Sequence, residues 1–155
     1  MRAIVIASAA VLLCLAGAAG AQDTVSISPQ QAVAARKAGM GMSGALMSAM
    51  KASIDAQVSP RSQAFAAGSL ARWGRAMPGV FPAGSGQAEL GEDATDARAA
   101  IWTARADFET RAATFAAAAT RLQDLARADD AAGFAAQWTE VRAACQACHD
   151  VYKAD

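Results

Sequence analysis

Charge of either sign is scarce in this 155-residue chain: 18% of the residues are charged, and 14 basic side chains meet 14 acidic ones. A formal charge of zero lacks the basic surplus of a phosphate-facing surface, which argues against a nucleic-acid binder. Aromatics are also few, at 6%, although 54% of the chain is hydrophobic. The apolar excess is mostly alanine, a strong helix former of little bulk, which predicts closely packed helices rather than sheets and argues against disorder. Histidine occurs once, so there is no second imidazole for acid–base work and no sequence reason to expect an enzyme. The length fits one domain.

What is present begins with a leader. Met1 and Arg2 precede an apolar run from Ala3 to Leu15, and Ala16 to Ala21 are small, with Ala19-Gly20-Ala21 in the A-x-A form that a signal peptidase accepts. Residues 1–21 read as a secretory signal peptide and 22–155 as the exported domain. The run is short for a bilayer span, and the residues before Cys14 are large rather than the small ones of a lipoprotein signal. Cleavage after Ala21 removes Arg2 and Cys14, leaving 13 basic against 14 acidic side chains, a net charge of −1. A periplasmic protein with no membrane anchor is expected.

The exported chain keeps two cysteines and one histidine, all in Cys145-Gln146-Ala147-Cys148-His149. This is C-x-x-C-H, the attachment signal of c-type haem. Two thiols add across the two porphyrin vinyl groups, and the imidazole beside the second thiol reaches the iron from the same side. Such attachment is made outside the cytoplasm, so leader and motif agree although they lie at opposite ends of the chain. A disulfide or a thiol-exchange site is the competing reading, but the latter normally opens a helix in a βαβ context. Zinc would be left a ligand short.

Between leader and motif the pattern predicts four helices. Ser28-Pro29-Gln30-Gln31 supplies a cap, a proline at the first helical position and a capping box. Val33, Met40, Met47 and Ile54 then recur every seventh residue as one inward stripe, until Ser59-Pro60 closes the helix and caps the next. The second helix, about 60–76, is expected to bury Phe65, Leu70 and Trp73, and it carries Arg61, Arg72 and Arg75. Glycines and prolines from Pro78 to Asp93 predict a connecting loop. A third helix over about 96–127 carries the clean stripe Ile101, Arg105, Phe108, Ala112, Phe115, Ala119, Leu122 and Ala126. Asp129-Asp130 offers a cap for the fourth, whose Phe134, Trp138, Val141, Cys145, Cys148 and Tyr152 share a face. The expected fold is all-α, an antiparallel four-helix bundle enclosing an apolar cofactor.

An exported four-helix chain with C-x-x-C-H near its C-terminal end resembles the class II c-type cytochromes, the cytochrome c' family. The resemblance spans the exported chain: Ala35-Arg36-Lys37-Ala38-Gly39-Met40, Ala100-Ile101-Trp102 with Phe108, and the run from Ala144 to Lys153. It implies one covalent haem c on Cys145 and Cys148, with His149 as the proximal iron ligand. It also places Arg36 near a haem propionate and Lys153 near the haem. Met40, four residues after Arg36, stands where the family points a side chain at the distal face of the iron, and a methionine there can ligate.

Two readings of Met40 follow. As an iron ligand it gives a low-spin His/Met haem and a periplasmic electron carrier, since a soft thioether raises the reduction potential. As core filler, the usual role of methionine at helical spacing, it leaves a five-coordinate haem that binds nitric oxide or carbon monoxide. The first is the expectation here. Met42 projects about 200° away from Met40 around the helix. Gly39 and Gly41 are expected to admit a haem edge or a close backbone. Trp102, Phe108, Phe115 and Trp138 are expected as core or haem-packing aromatics. Partners implied are redox proteins, steered by Arg61, Arg72 and Arg75 if acidic, and a second copy in an antiparallel homodimer.

Overall fold

The computed structural model describes residues 27–154; the leader lies outside them. Four long helices carry the fold: α1 (Pro29–Asp55), α2 (Ala64–Ala76), α3 (Arg105–Ala128) and α4 (Ala131–Tyr152). Among the described residues there is no strand, only an isolated antiparallel bridge between Ala97 and Lys153.

Helix starts follow local chemistry. At α1 the Ser28 hydroxyl accepts from the Gln31 N–H at 3.2 Å, and the Gln31 side chain accepts from the Ser28 N–H at 2.8 Å. Two of the orphan donors at a helix start are thereby satisfied. At α4 the Asp130 carboxylate accepts from the Gly133 N–H at 2.9 Å, while Asp129 makes the turn out of α3 in the left-handed region, φ 60°. The Ser59 hydroxyl donates to Asp129 at 2.6 Å and ties the α1–α2 connection to the α3–α4 turn at one end of the bundle.

Cross-helix pairings show the antiparallel order. Gly68 faces Gln123 and Gly74 faces Phe115 between α2 and α3. Gln137 donates to the Ala118 carbonyl and Arg111 to the Ala147 carbonyl between α3 and α4. Glycine at 68 and 74 brings α2 close to α3, because a Cβ at residue 74 would lie 2.7 Å from the Phe115 ring. The core is built from Met50, Leu70, Ile101, Phe108, Leu122, Phe134 and Val141, all fully buried. α1 is packed least closely: its contacts with α2 and α4 are sparse beside those of α3 with both.

Two sequence expectations are corrected, and that of the loop is refined. Phe65 does not fill the core; it is 78% exposed, with the Arg72 guanidinium over its ring. Spacing along α2 puts Ala67, Leu70, Ala71 and Gly74 inward, leaving Phe65 on the opposite face. The third helix is not continuous from residue 96. A single turn (Ala100–Thr103) breaks at Ala104, φ −119° and ψ 44°, before α3 starts. The cause is tertiary: Trp102 and Arg105 donate to the carbonyls of Phe81, Pro82 and Pro78 and gather the loop onto this corner. The loop itself is partly helical, with a 3-10 turn (Met77–Val80) and one α-turn (Gln87–Leu90).

Candidate haem site

The sparse packing of α1 leaves a cavity of about 830 Å³. Such a volume lies in the range of sites that enclose a cofactor-sized ligand, roughly 300–1,000 Å³. Its walls bring together Arg36, Met40, Cys145, Cys148, His149 and Lys153. All six residues singled out from the sequence therefore meet at one place.

The reacting side chains sit on the last turns of α4. Cys145, Cys148 and His149 are spaced i, i+3 and i+4, so an unbroken helix presents them on one face. Both thiols are half-buried and unbridged. Burial pushes both above the ordinary cysteine range, Cys148 against the opposing pull of the Arg111 cation. At neutral pH they are thiols, the form that adds across a vinyl group. His149 stands exposed at the cavity mouth, and desolvation, then the Lys153 charge, holds its imidazole below the usual range. A neutral imidazole is the form that ligates a metal.

Arg36 is not a surface arginine. It is 4% exposed, and its Nη atoms donate to the Ser85 hydroxyl, the Ser85 carbonyl and the Thr95 hydroxyl. Its guanidinium also lies 4.8 Å from the centre of the Phe81 ring. Among the described residues no carboxylate answers this charge, and burial lowers its pKa. Of the five guanidinium donors, Nε–H and one Nη1–H are left for an anion. Lys153 is half-exposed, 3.7 Å from Asp96.

Among the α1 and α2 side chains that wall the cavity and are mostly buried, the polar ones are occupied. Arg36 holds its loop partners, and the Ser43 hydroxyl donates to the Gly39 carbonyl. What remains is apolar: Met40, Met47, Leu70 and Trp73. Phe108, Phe115 and Trp138 join them, and the Trp138 indole donates to the Met47 carbonyl at 3.0 Å. Trp102 is away from the cavity and anchors the loop instead. Gly39 does give close approach, to Trp73, whereas Gly41 has nothing within 4 Å. Among the described residues no cluster of three or more His, Cys, Asp or Glu could hold a metal ion.

Phe81, Ser85, Thr95 and Arg111 were not singled out from the sequence. A glycine-rich loop gives no signal for which serine turns inward. For Arg111 the Asp107-x-x-x-Arg111 spacing was the available clue.

An apolar cavity with two unbridged thiols, a neutral imidazole and a buried cation lacking a carboxylate partner fits a covalently held dianionic porphyrin. Comparison with known proteins agrees: the family model Cytochrome C' matches residues 31–153. The chain belongs to the cytochrome c' family. A cytochrome c' of Pararhodospirillum photometricum is 28% identical over 127 residues, 81% of this chain and 98% of that protein. The cytochrome c' structure from Thermochromatium tepidum matches with a TM-score of 0.76 at 26% identity, covering 83% of this chain and 98% of that one. A nitric oxide complex of a point mutant of cytochrome c prime from Alcaligenes xylosoxidans shares the fold, with a TM-score of 0.73 at 23% identity over 84% of this chain and 98% of that one. The cytochrome c' family binds one covalently attached haem c. No helix among the described residues is long and apolar enough to cross a membrane.

Proposed function

We propose that this cytochrome c' carries its haem on Cys145 and Cys148, with His149 as the iron ligand, and binds small neutral gases such as nitric oxide or carbon monoxide at the opposite face. The observation that carries this reading is the apolar wall of Met40, Met47, Leu70 and Trp73, whose mostly buried polar neighbours on α1, Arg36 and Ser43, are already hydrogen-bonded. Such a wall disfavours water and anions and leaves room for a neutral diatomic. It also offers no acid or base to drive peroxide chemistry, so the protein is read as a non-enzyme. The solved nitric oxide complex of a mutant of a fold neighbour supports the ligand class by analogy of fold alone.

The bound haem supplies the iron at which gas binding or a one-electron change takes place. The chain's part is to fix it. Arg36, with two donors free, would take a propionate, and Lys153 would add charge near the haem edge. A second reading rests on one observation: Met40 lines the same cavity as His149. If its thioether reaches the iron, the protein is a low-spin electron carrier instead.

Visible spectra in both oxidation states decide between these. High-spin spectra with carbon monoxide uptake by the reduced protein support gas binding; sharp low-spin bands and no uptake overturn it in favour of the carrier. A periplasmic location, redox protein partners and a homodimer complete the proposal. The dimer reading draws on the charge-free outer face of α1, where Ala34, Ala38, Gly41, Ala45 and Ala49 are all exposed.

A further inference from the structure

One polar cluster beside the attachment motif has no part in the reading above. Arg111, on α3, donates through Nε to the Asp107 carboxylate at 2.7 Å and through Nη1 to the Ala147 carbonyl at 2.9 Å. Ala147 is the middle of Cys145-Gln146-Ala147-Cys148-His149. Tyr152, three residues past the histidine, donates its hydroxyl to the same Asp107 oxygen at 2.6 Å. The Tyr152 ring is fixed in turn, edge-on to Phe108 at 5.3 Å, with the Arg111 guanidinium 6.0 Å from its centre. Two backbone bonds hold the end of the same helix, from the Arg98 N–H to the Tyr152 carbonyl and from the Ala154 N–H to the Asp96 carbonyl.

The guanidinium is planar, and here three constraints set its plane: a carboxylate, a main-chain carbonyl of the motif, and an aromatic face. It also lines the cavity with Cys148 and His149. The Arg111 side chain is 35% exposed, so solvent screens its charge in part while the cavity side does so less.

Resting on the reading that haem is attached at Cys145 and Cys148, we propose that Arg111 is a positioning residue for that haem: aligned by Asp107 and Tyr152, it holds the attachment turn against α3 and sets the reduction potential by its charge. A fixed positive charge beside the haem favours the ferrous over the ferric state, so the potential rises with it. Asp107 partly offsets this charge while orienting it.

The test uses the haem-loaded protein and measures the midpoint potential of Arg111→Gln, Arg111→Lys and Asp107→Asn. Arg111→Gln is expected to lower the potential by at least about threefold in the one-electron equilibrium, about half of the 59 mV that a tenfold change represents. Arg111→Lys is expected to recover most of that shift, since the charge returns without the fork. Asp107→Asn is expected to move the potential upward. A loaded Arg111→Gln protein with an unmoved potential, or equal falls in the Gln and Lys variants, overturns the proposal. If Arg111→Gln does not fold or load, Asp107→Asn decides: an upward shift supports the proposal and an unmoved potential overturns it. Mass spectrometry of the wild-type chain separates this from the underlying reading. A wild-type chain without covalent haem defeats that reading itself, whereas a loaded wild type with unmoved variants defeats only the role of Arg111.

Discussion

The six-membered ring of Trp73 occupies the space that a Cβ on Gly39 would need, making the α1 glycine a socket for an aromatic of α2. The relationship sets the width of the cavity beside Met40. Gly39→Ala is expected to push Trp73 or α1 aside and to destabilise the protein by about 1–3 kcal/mol, the usual cost of overpacking. Thermal unfolding checks the stability, and carbon monoxide association kinetics check the displaced wall.

Met40 packs in the same wall. On the gas-binding reading, Met40→Ala leaves the ferric spectrum high-spin and strengthens carbon monoxide binding by about tenfold or more, since relief of 1.4 kcal/mol of crowding is one factor of ten. Equilibrium titration of the reduced protein measures it. A wild type that is low-spin and turns high-spin in the variant would establish ligation by the thioether.

Arg36 holds the loop onto α1. Arg36→Ala would leave the Ser85 carbonyl buried without its donor, at about 1–3 kcal/mol, while Thr95 keeps the Ala97 N–H and the Ser85 hydroxyl keeps the Pro82 carbonyl. Denaturant unfolding should show that loss, and a weakened propionate partner should appear as a shifted reduction potential. Arg36→Lys restores the charge but not the three-way fork, so partial rescue of stability is expected.

Asp107 makes the fold sensitive to acid. The Tyr152 hydroxyl first, and then Arg111, hold its carboxyl below the ordinary aspartate range, opposed by a smaller desolvation effect. The folded state therefore binds this proton less readily than the unfolded chain. The associated stability is present above the unfolded aspartate value, about 3.9, and is lost as pH falls through the lower folded value. Stability-versus-pH curves should show that acid limb diminished in Asp107→Asn.

Much of this was legible in the residues. Capping at Ser28 and Asp130 and the single C-x-x-C-H run are written within four or five consecutive positions, and the inward face of α4 is a periodicity of one helix. Convergence of Arg36, Met40 and Lys153 with the motif was legible only through family resemblance, because nothing local tells which neighbour a helix faces. Phe65 misled because bulk was weighed before phase: its exposed face is set by the spacing of Ala67, Leu70 and Gly74. The break at Ala104 was invisible because no glycine or proline marks it; distant loop carbonyls drawn to Trp102 and Arg105 impose it. The loop partners of Arg36 lie 49 and 59 residues away, beyond the reach of any local signal.

The loose seating of α1 bears on how the protein breathes. α3 grips both α2 and α4 directly, while the first helix meets them largely across the space meant for porphyrin. Before maturation its amides should exchange with solvent sooner than those of the other three, and insertion of the prosthetic group should slow them most. Cofactor capture would then be a step that completes folding, turning a three-helix kernel with an outlying arm into one cooperative unit.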